Sequence, residues 1–263
     1  MLIFQGFLYA IIGYIIGGIL FSLIIGKVFL KVDIRVQGSG NAGATNLGRI
    51  AGAKRGGTFA IIGGTLDLAK GFIAIFINAL LFRYAFNNDG NEFASWIIYL
   101  PIITSTAGHC APITYIFYLL KTHSFLVARS KGGGKGVSTF GGSFFAISPI
   151  IAVCLFLIWL IIKKTTRITS VASIIIALIS PYFILIPIPL LGYLTNNEAI
   201  GATGNVPGIA NFFNANNLYI WVIIIMTIIA GLYVIVRHYS NIVRLIKGTE
   251  NKSVKKSKVP AGK

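Results

Sequence analysis

Long apolar segments separated by short polar gaps constrain this chain more than any other feature. A run of about 20 apolar residues matches the hydrocarbon width of a bilayer. Such runs cover about 4–29, 57–82, 93–120, 137–162, 168–194 and 218–236. A soluble domain carries about 25% charged residues. Here 11% of 263 residues are charged and 56% are hydrophobic. The chain is therefore expected to be an all-α polytopic membrane protein. Residues 1–250 form one membrane domain and 251–263 a basic tail. The first run lacks a basic leader and a small-residue cleavage site, so it is read as a retained helix.

Charge decides the helix count. The chain has 23 Lys and Arg against 6 Asp and Glu, a formal net charge of +17. In a soluble protein such a surplus would suggest nucleic acid. Here the cations sit in the gaps and the tail, the pattern of cytoplasmic loops beside an anionic leaflet, and no nucleic-acid partner is expected. If 137–162 were one helix, Lys163, Lys164, Arg167 and the tail would all face outside. If it breaks at Ser148-Pro149, seven helices result. The N-terminus is then outside, the C-terminus cytoplasmic, and 21 of the 23 cations inside, all but Lys70 and Arg83. The sequence therefore predicts seven transmembrane helices in the cell membrane. No internal repeat is visible.

With this topology three polar clusters share the cytoplasmic side. The first, DIRVQGSGNAGATNLGR at 33–49, packs Gly38, Ser39, Gly40, Asn41, Asn46 and Arg49 into one loop. Glycines let backbone N–H groups approach a ligand, successive N–H groups attract anions, and a guanidinium matches phosphate. The second, KGGGKGVST from Lys131 to Thr139, offers Gly133, Gly134, Lys135 and Gly136 before a helix start. It is a poor nucleotide loop, because Gly136 and Val137 stand between Lys135 and Ser138. A simpler phosphate remains its expected ligand, held by glycine N–H groups, Lys135 and the positive end of the next helix. The third runs from Arg237 to Glu250. Its spacing puts His238, Asn241 and Leu245 on one helical face with Arg244 at its border.

Other groups are assigned by depth. Asp67 and Lys70 stand three apart inside the second apolar run, which suits a structural ion pair. His109 is expected to make a buried hydrogen bond. Cys110 and Cys154 imply neither a disulfide nor a metal site. No zinc-type spacing, no G-x-S-x-G and no H-x4-D occurs. Six acidic residues make paired-carboxylate catalysis an unlikely design, and no metal or cofactor is expected.

The order DIR–GSGN-x-GATN-x2-R, D-x2-KG, GH-x2-P, GGKGV-x-T and H-x2-NI-x-RL-x2-GTE resembles the bacterial acyl-phosphate:glycerol-3-phosphate acyltransferases, the PlsY family. The matches run in order from Asp33 to Glu250. The resemblance implies transfer of a fatty acyl group from acyl phosphate to the 1-hydroxyl of glycerol 3-phosphate, giving lysophosphatidate and inorganic phosphate. Membrane lipids are the expected surroundings, and a monomer is expected. The resemblance assigns Ser39, Lys135, His238 and Asn241 to catalysis. Gly38, Gly40, Asn41, Asn46, Arg49, Gly133, Gly134, Gly136, Arg244 and Glu250 would bind substrate or phosphate. The chain departs from the pattern at KTHSFLVARS, 121–130, and in the glycine separating Lys131 from GGKG, so Lys135 is the expected phosphate ligand. The rival reading is a transporter of phosphate or organic anions. A basic membrane scaffold would leave the glycine loops unexplained.

Overall fold

The computed structural model describes residues 1–87, 92–124, 130, 132–185 and 218–252. Asn88, Asp89, Asn91, Arg129, Lys131, Pro187, Pro189, the neutral loop 195–217 and most of the basic tail lie outside the described residues. Among the described residues the regular structure is helical, with no strand.

The first apolar run is α1 (Leu2–Gly17) and α2 (Phe21–Phe29), with the chain broken at Gly18–Leu20. Short α3 (Ala44–Ile50) follows the glycine-rich loop and leads into long α4 (Gly52–Leu80), which ends in a wider π turn, Leu81–Ala85. The third apolar run is not one helix. It comprises a 3-10 stretch (Glu92–Tyr99), α5 (Pro101–Cys110) and α6 (Ile113–Thr122). Proline explains both interruptions. Pro101 takes the first turn of α5, where its missing N–H costs nothing, and Pro112 caps α6 in an extended conformation.

The break expected near Pro149 is present. α7 (Val137–Ile147) ends at Ser148, whose extended backbone starts α8 (Pro149–Thr166). The Ser148 hydroxyl accepts the Ile151 N–H at 3.5 Å, and Pro149 takes the first position. α9 (Thr169–Leu185) then runs to the edge of the described residues. α10 (Leu218–Arg237) turns by 58° at His238 into α11 (Tyr239–Ile246).

Among the described residues three stretches are long and apolar enough to cross a bilayer: Leu2–Phe29, Gly52–Ala85 and Pro149–Thr166. The bent pair α10–α11 makes a fourth if it is one span. The seven helices read from charge are thus not reproduced by helix length alone. α5, α6 and α7 are too short, because Pro112 and Ser148 split the runs that contain them, and α9, described over 17 residues, falls just short as well.

Small residues set the packing. A Cβ on Gly17 would strike the Ser105 backbone, and one on Gly71 would strike the Thr139 carbonyl. The backbones of α1 and α5, and of α4 and α7, therefore lie almost in contact, as in membrane helix pairs. Their joint core holds Tyr9, Ile75, Ile102, Phe140, Phe144 and Val234. A second cluster of Leu20, Leu23, Ile25, Ile34, Ala42 and Leu47 supports the glycine-rich loop. Phe7, Ile11 and Ile15 share an exposed stripe on α1, which suits a lipid-facing surface.

Candidate phosphate site at the loop ends

The glycine-rich loop is organised by its own polar side chains. Arg35 donates from Nε and Nη2 to the two carboxylate oxygens of Asp33 at 3.0 and 2.7 Å. These bonds outweigh partial burial and hold the Asp33 carboxyl down to about 2. Asn46 is buried beneath the loop. Its Oδ1 accepts the Ser39 N–H at 2.8 Å, and its Nδ2 faces the carbonyls of Ile34, Gln37 and Asn41 at 2.7, 3.0 and 3.0 Å. Gly38 sits at φ +60°, where a Cβ would collide with the Asn46 side chain. Both ends of the Asn46 amide are thus spent on the loop, so its place is architectural. Gly38, Ser39 and Gly40 lie exposed at the loop surface, with Asn41 partly covered.

The second cluster departs from the expected anion cradle. The Gly133 N–H donates to the Cys110 carbonyl and the Gly134 N–H to the His109 carbonyl, both at 3.1 Å. These groups close the C-terminal end of α5 and are not turned toward a ligand. A Cβ on Gly133 would strike the His109 carbonyl, and one on Gly134 the His109 ring. Absent side chains here serve close packing on α5, which corrects the reading of these two N–H groups. Gly136 lies at φ +84° and caps α7, placing the positive end of that helix beside Lys135.

The third cluster meets the second through side chains. Lys135 Nζ donates to Asn241 Oδ1. Asn241 Nδ2 donates to Glu250 Oε1 at 2.6 Å, and Arg244 Nε donates to Glu250 Oε2 at 2.7 Å. Ser170, at the start of α9, also donates to Glu250 Oε1 at 2.9 Å. Burial would raise the Glu250 carboxyl, but the bonds from Asn241, Arg244 and Ser170 prevail and keep it below its usual range. Glu250 is therefore an anchor for Asn241 and Arg244. A carboxylate repels phosphate, so direct phosphate binding falls to its neighbours. Arg237 donates to the Gly134 carbonyl at 3.2 Å and joins the third cluster to the second loop.

His238 sits at the bend between α10 and α11 and is buried. Its Nδ1 lies 2.7 Å from the Val234 carbonyl. A carbonyl only accepts, so Nδ1 carries the proton and Nε2 keeps a free lone pair. The bend does not dissolve the predicted face: the Asn241 and Ile242 N–H groups both donate to the His238 carbonyl, which keeps His238 and Asn241 together.

Lys135 is the electrostatic centre. Desolvation, first, lowers its pKa to about 8; Glu250 opposes this, while Arg244, Arg49 and Arg237 add to it. Arg49, exposed near the end of α3, thus brings the charge of the first cluster to bear on Lys135. Lys135, joined through Asn241 to Glu250 and Arg244 and acted on by the charges of Arg49 and Arg237, centres a cluster of lysine and arginine donors suited to phosphate oxygens. Among the described residues no group of three or more His, Cys, Asp and Glu is placed to hold a metal ion. Sequence reasoning missed Ser170 and gave no role to Arg237. Arg237 opens the third cluster, and its place directly before the H-x2-N motif could have marked it as a site residue. Ser170 carries no local signal, since its partner is 80 positions away.

The family model for glycerol-3-phosphate acyltransferase matches residues 7–248. A glycerol-3-phosphate acyltransferase of Malacoplasma penetrans is 38% identical over 95% of this chain and 94% of its own length. That of Aquifex aeolicus is 33% identical over 92% and 96%. Among solved structures, the integral membrane glycerol 3-phosphate acyltransferase PlsY (YgiH) in its glycerol 3-phosphate form is 30% identical. It superimposes with a TM-score of 0.64, covering 95% of this chain and 96% of that one. Its lysophosphatidic acid form is 28% identical, with a TM-score of 0.62 and 95% coverage of each chain.

Proposed function

This chain belongs to the glycerol-3-phosphate acyltransferase family, and we propose that it moves a fatty acyl group from acyl phosphate to the 1-hydroxyl of sn-glycerol 3-phosphate. The products are 1-acyl-glycerol 3-phosphate and inorganic phosphate. The observation that carries this reading is the meeting of Lys135, Asn241, Arg244 and Glu250, with Arg49 and Arg237 close enough to act on Lys135. Both proposed substrates carry a phosphate, and such a basic cluster suits phosphate. The solved relative's glycerol 3-phosphate and lysophosphatidic acid forms correspond to acceptor and product. The family match leaves the transporter reading without support.

The chemistry is substrate-assisted. The acceptor hydroxyl attacks the acyl carbonyl, the bond to the phosphate oxygen breaks, and phosphate departs with the proton. Lys135, Arg49 and the start of α7 hold the charge that develops on the phosphate. His238 Nε2 and Asn241 orient glycerol 3-phosphate, and Ser39 hydrogen-bonds substrate without being acylated. Positioning and fixed charge supply the acceleration. The test is phosphate release by purified protein in a lipidic medium with acyl phosphate and glycerol 3-phosphate. Release that requires both substrates supports the reading. Acyl-CoA serving equally well as donor would overturn the choice of donor.

The site faces the cytoplasm in a seven-helix arrangement, with the short helices α5–α7 completing spans and the protein acting as a monomer. Support for the orientation comes from the charge asymmetry of the gaps. In a background without Cys110 and Cys154, Asn205→Cys should react from outside intact cells with an impermeant thiol reagent. Thr249→Cys should react only after permeabilisation; labelling of it from outside would invert the orientation.

A further inference from the structure

We propose that His109 is a positioning residue, locked by the Asp67–Lys70 ion pair so that its ring sets the loop carrying Lys135. The inference rests on the role given to Lys135 above. Lys70 Nζ donates to the Ile19 carbonyl at 2.7 Å, lies 2.7 Å from His109 Nδ1, and pairs by charge with Asp67 Oδ1 at 3.1 Å. An ammonium only donates, so Nδ1 accepts and the ring proton sits on Nε2. The Asp67 carboxylate takes the Ser22 hydroxyl at 2.8 Å, and its main-chain carbonyl takes the Thr139 hydroxyl at 3.0 Å. α2, α4, α5 and α7 thus converge on one pair whose side chains are 2% exposed.

An ion pair at that depth is costly, and the contacts of Asp67, Lys70 and Ser22 all lie away from the Lys135–Asn241–Glu250 network. What the pair holds still is the His109 ring. That ring fills the space beside Gly134, with Nε2, Cδ2 and Cε1 nearest to where a Cβ would stand. The loop is clamped on its other sides too, by the Gly133 and Gly134 N–H bonds to α5 and by Arg237 on the Gly134 carbonyl. Lys135 is the next residue. A shift of the ring therefore reaches the reacting phosphate through one peptide unit.

A size-swap tests this in the full chain, assayed by phosphate release in lipid. Gly134→Ala should lower kcat by about 10²-fold through misplacement of Lys135, with KM for glycerol 3-phosphate changed less. His109→Asn keeps an acceptor where Nδ1 was and removes the ring edge. Alone it should lower kcat while the thermal midpoint holds; together with Gly134→Ala it should recover about tenfold of the lost rate. If Gly134→Ala and the double variant are equally impaired, the glycine serves ligand approach and the inference fails. If Gly134→Ala does not fold, His109→Asn decides alone, and an unchanged kcat overturns the inference whatever the midpoint does. The wild-type chain is the reference, so failure of the proposed function appears there and failure of this inference only in the variants.

Discussion

Replacing Lys135 by Met lowers kcat/KM by on the order of 10²–10³, the usual cost of deleting a charge aimed at a developing anion in a site shielded from water. The argument is geometric first. Lys135 joins the second loop to the third cluster through Asn241, and no other lysine among the described residues is bonded to Asn241 or Glu250. Its pKa, pushed to about 8 chiefly by desolvation, adds a pH signature. The working form is protonated, so activity is full well below pH 8 and falls as pH rises through it. Lys135→Arg keeps a positive charge far above that range. It should therefore lose rate through altered geometry but move the alkaline limb of kcat/KM out of the window. The measurement is a kcat/KM profile for glycerol 3-phosphate between about pH 6 and 10, since this quantity reports groups of the free enzyme. An alkaline limb unchanged in Lys135→Arg would assign it to another group, and a Met variant within a few-fold of wild type would remove Lys135 from the chemistry.

The sequence displayed its membrane character and its breaks plainly, because hydropathy and proline act locally. Ser148-Pro149 ends one helix and starts the next as read. The structural pairing of Asp67 with Lys70 and the buried bond of His109 were legible from depth and spacing. What was not legible depends on distant partners. Nothing near Gly133 and Gly134 announces that their N–H groups are spent on the end of α5, 23 and 25 positions earlier. Asn46 looks like a ligand residue in a glycine-rich motif, yet its amide closes the loop on itself. Ser170 meets Glu250 only because α9 returns beside the end of α11. The motif thus marked where the site is, while the division between residues that hold the loops and residues that face substrate required the packing.

His238→Gln separates the two ways of activating the acceptor hydroxyl. The Val234 carbonyl fixes the proton on Nδ1, so Nε2 is available either to take the substrate proton or only to accept its hydrogen bond. Glutamine reaches about as far as Nε2 and still accepts a hydrogen bond, but it is not a base. General-base catalysis is worth about 10²–10⁴ in rate. If His238 only orients glycerol 3-phosphate, the Gln variant keeps measurable turnover, and the acidic limb of its profile stays where wild type has it. His238→Ala, which loses the acceptor altogether, is then much worse than Gln. If Gln and Ala both fall to background and the acidic limb disappears, histidine is the base and phosphate is not. Ser39 closes the remaining route. Its main-chain N–H is pinned by Asn46, and no histidine or carboxylate among the described residues is bonded to its hydroxyl, so nothing activates it as a nucleophile. Incubation with acyl phosphate alone, followed by intact-mass measurement, should show no added acyl group. An acyl ester on Ser39 would place the reaction in the covalent class, and the direct attack of glycerol 3-phosphate on acyl phosphate would have to be abandoned.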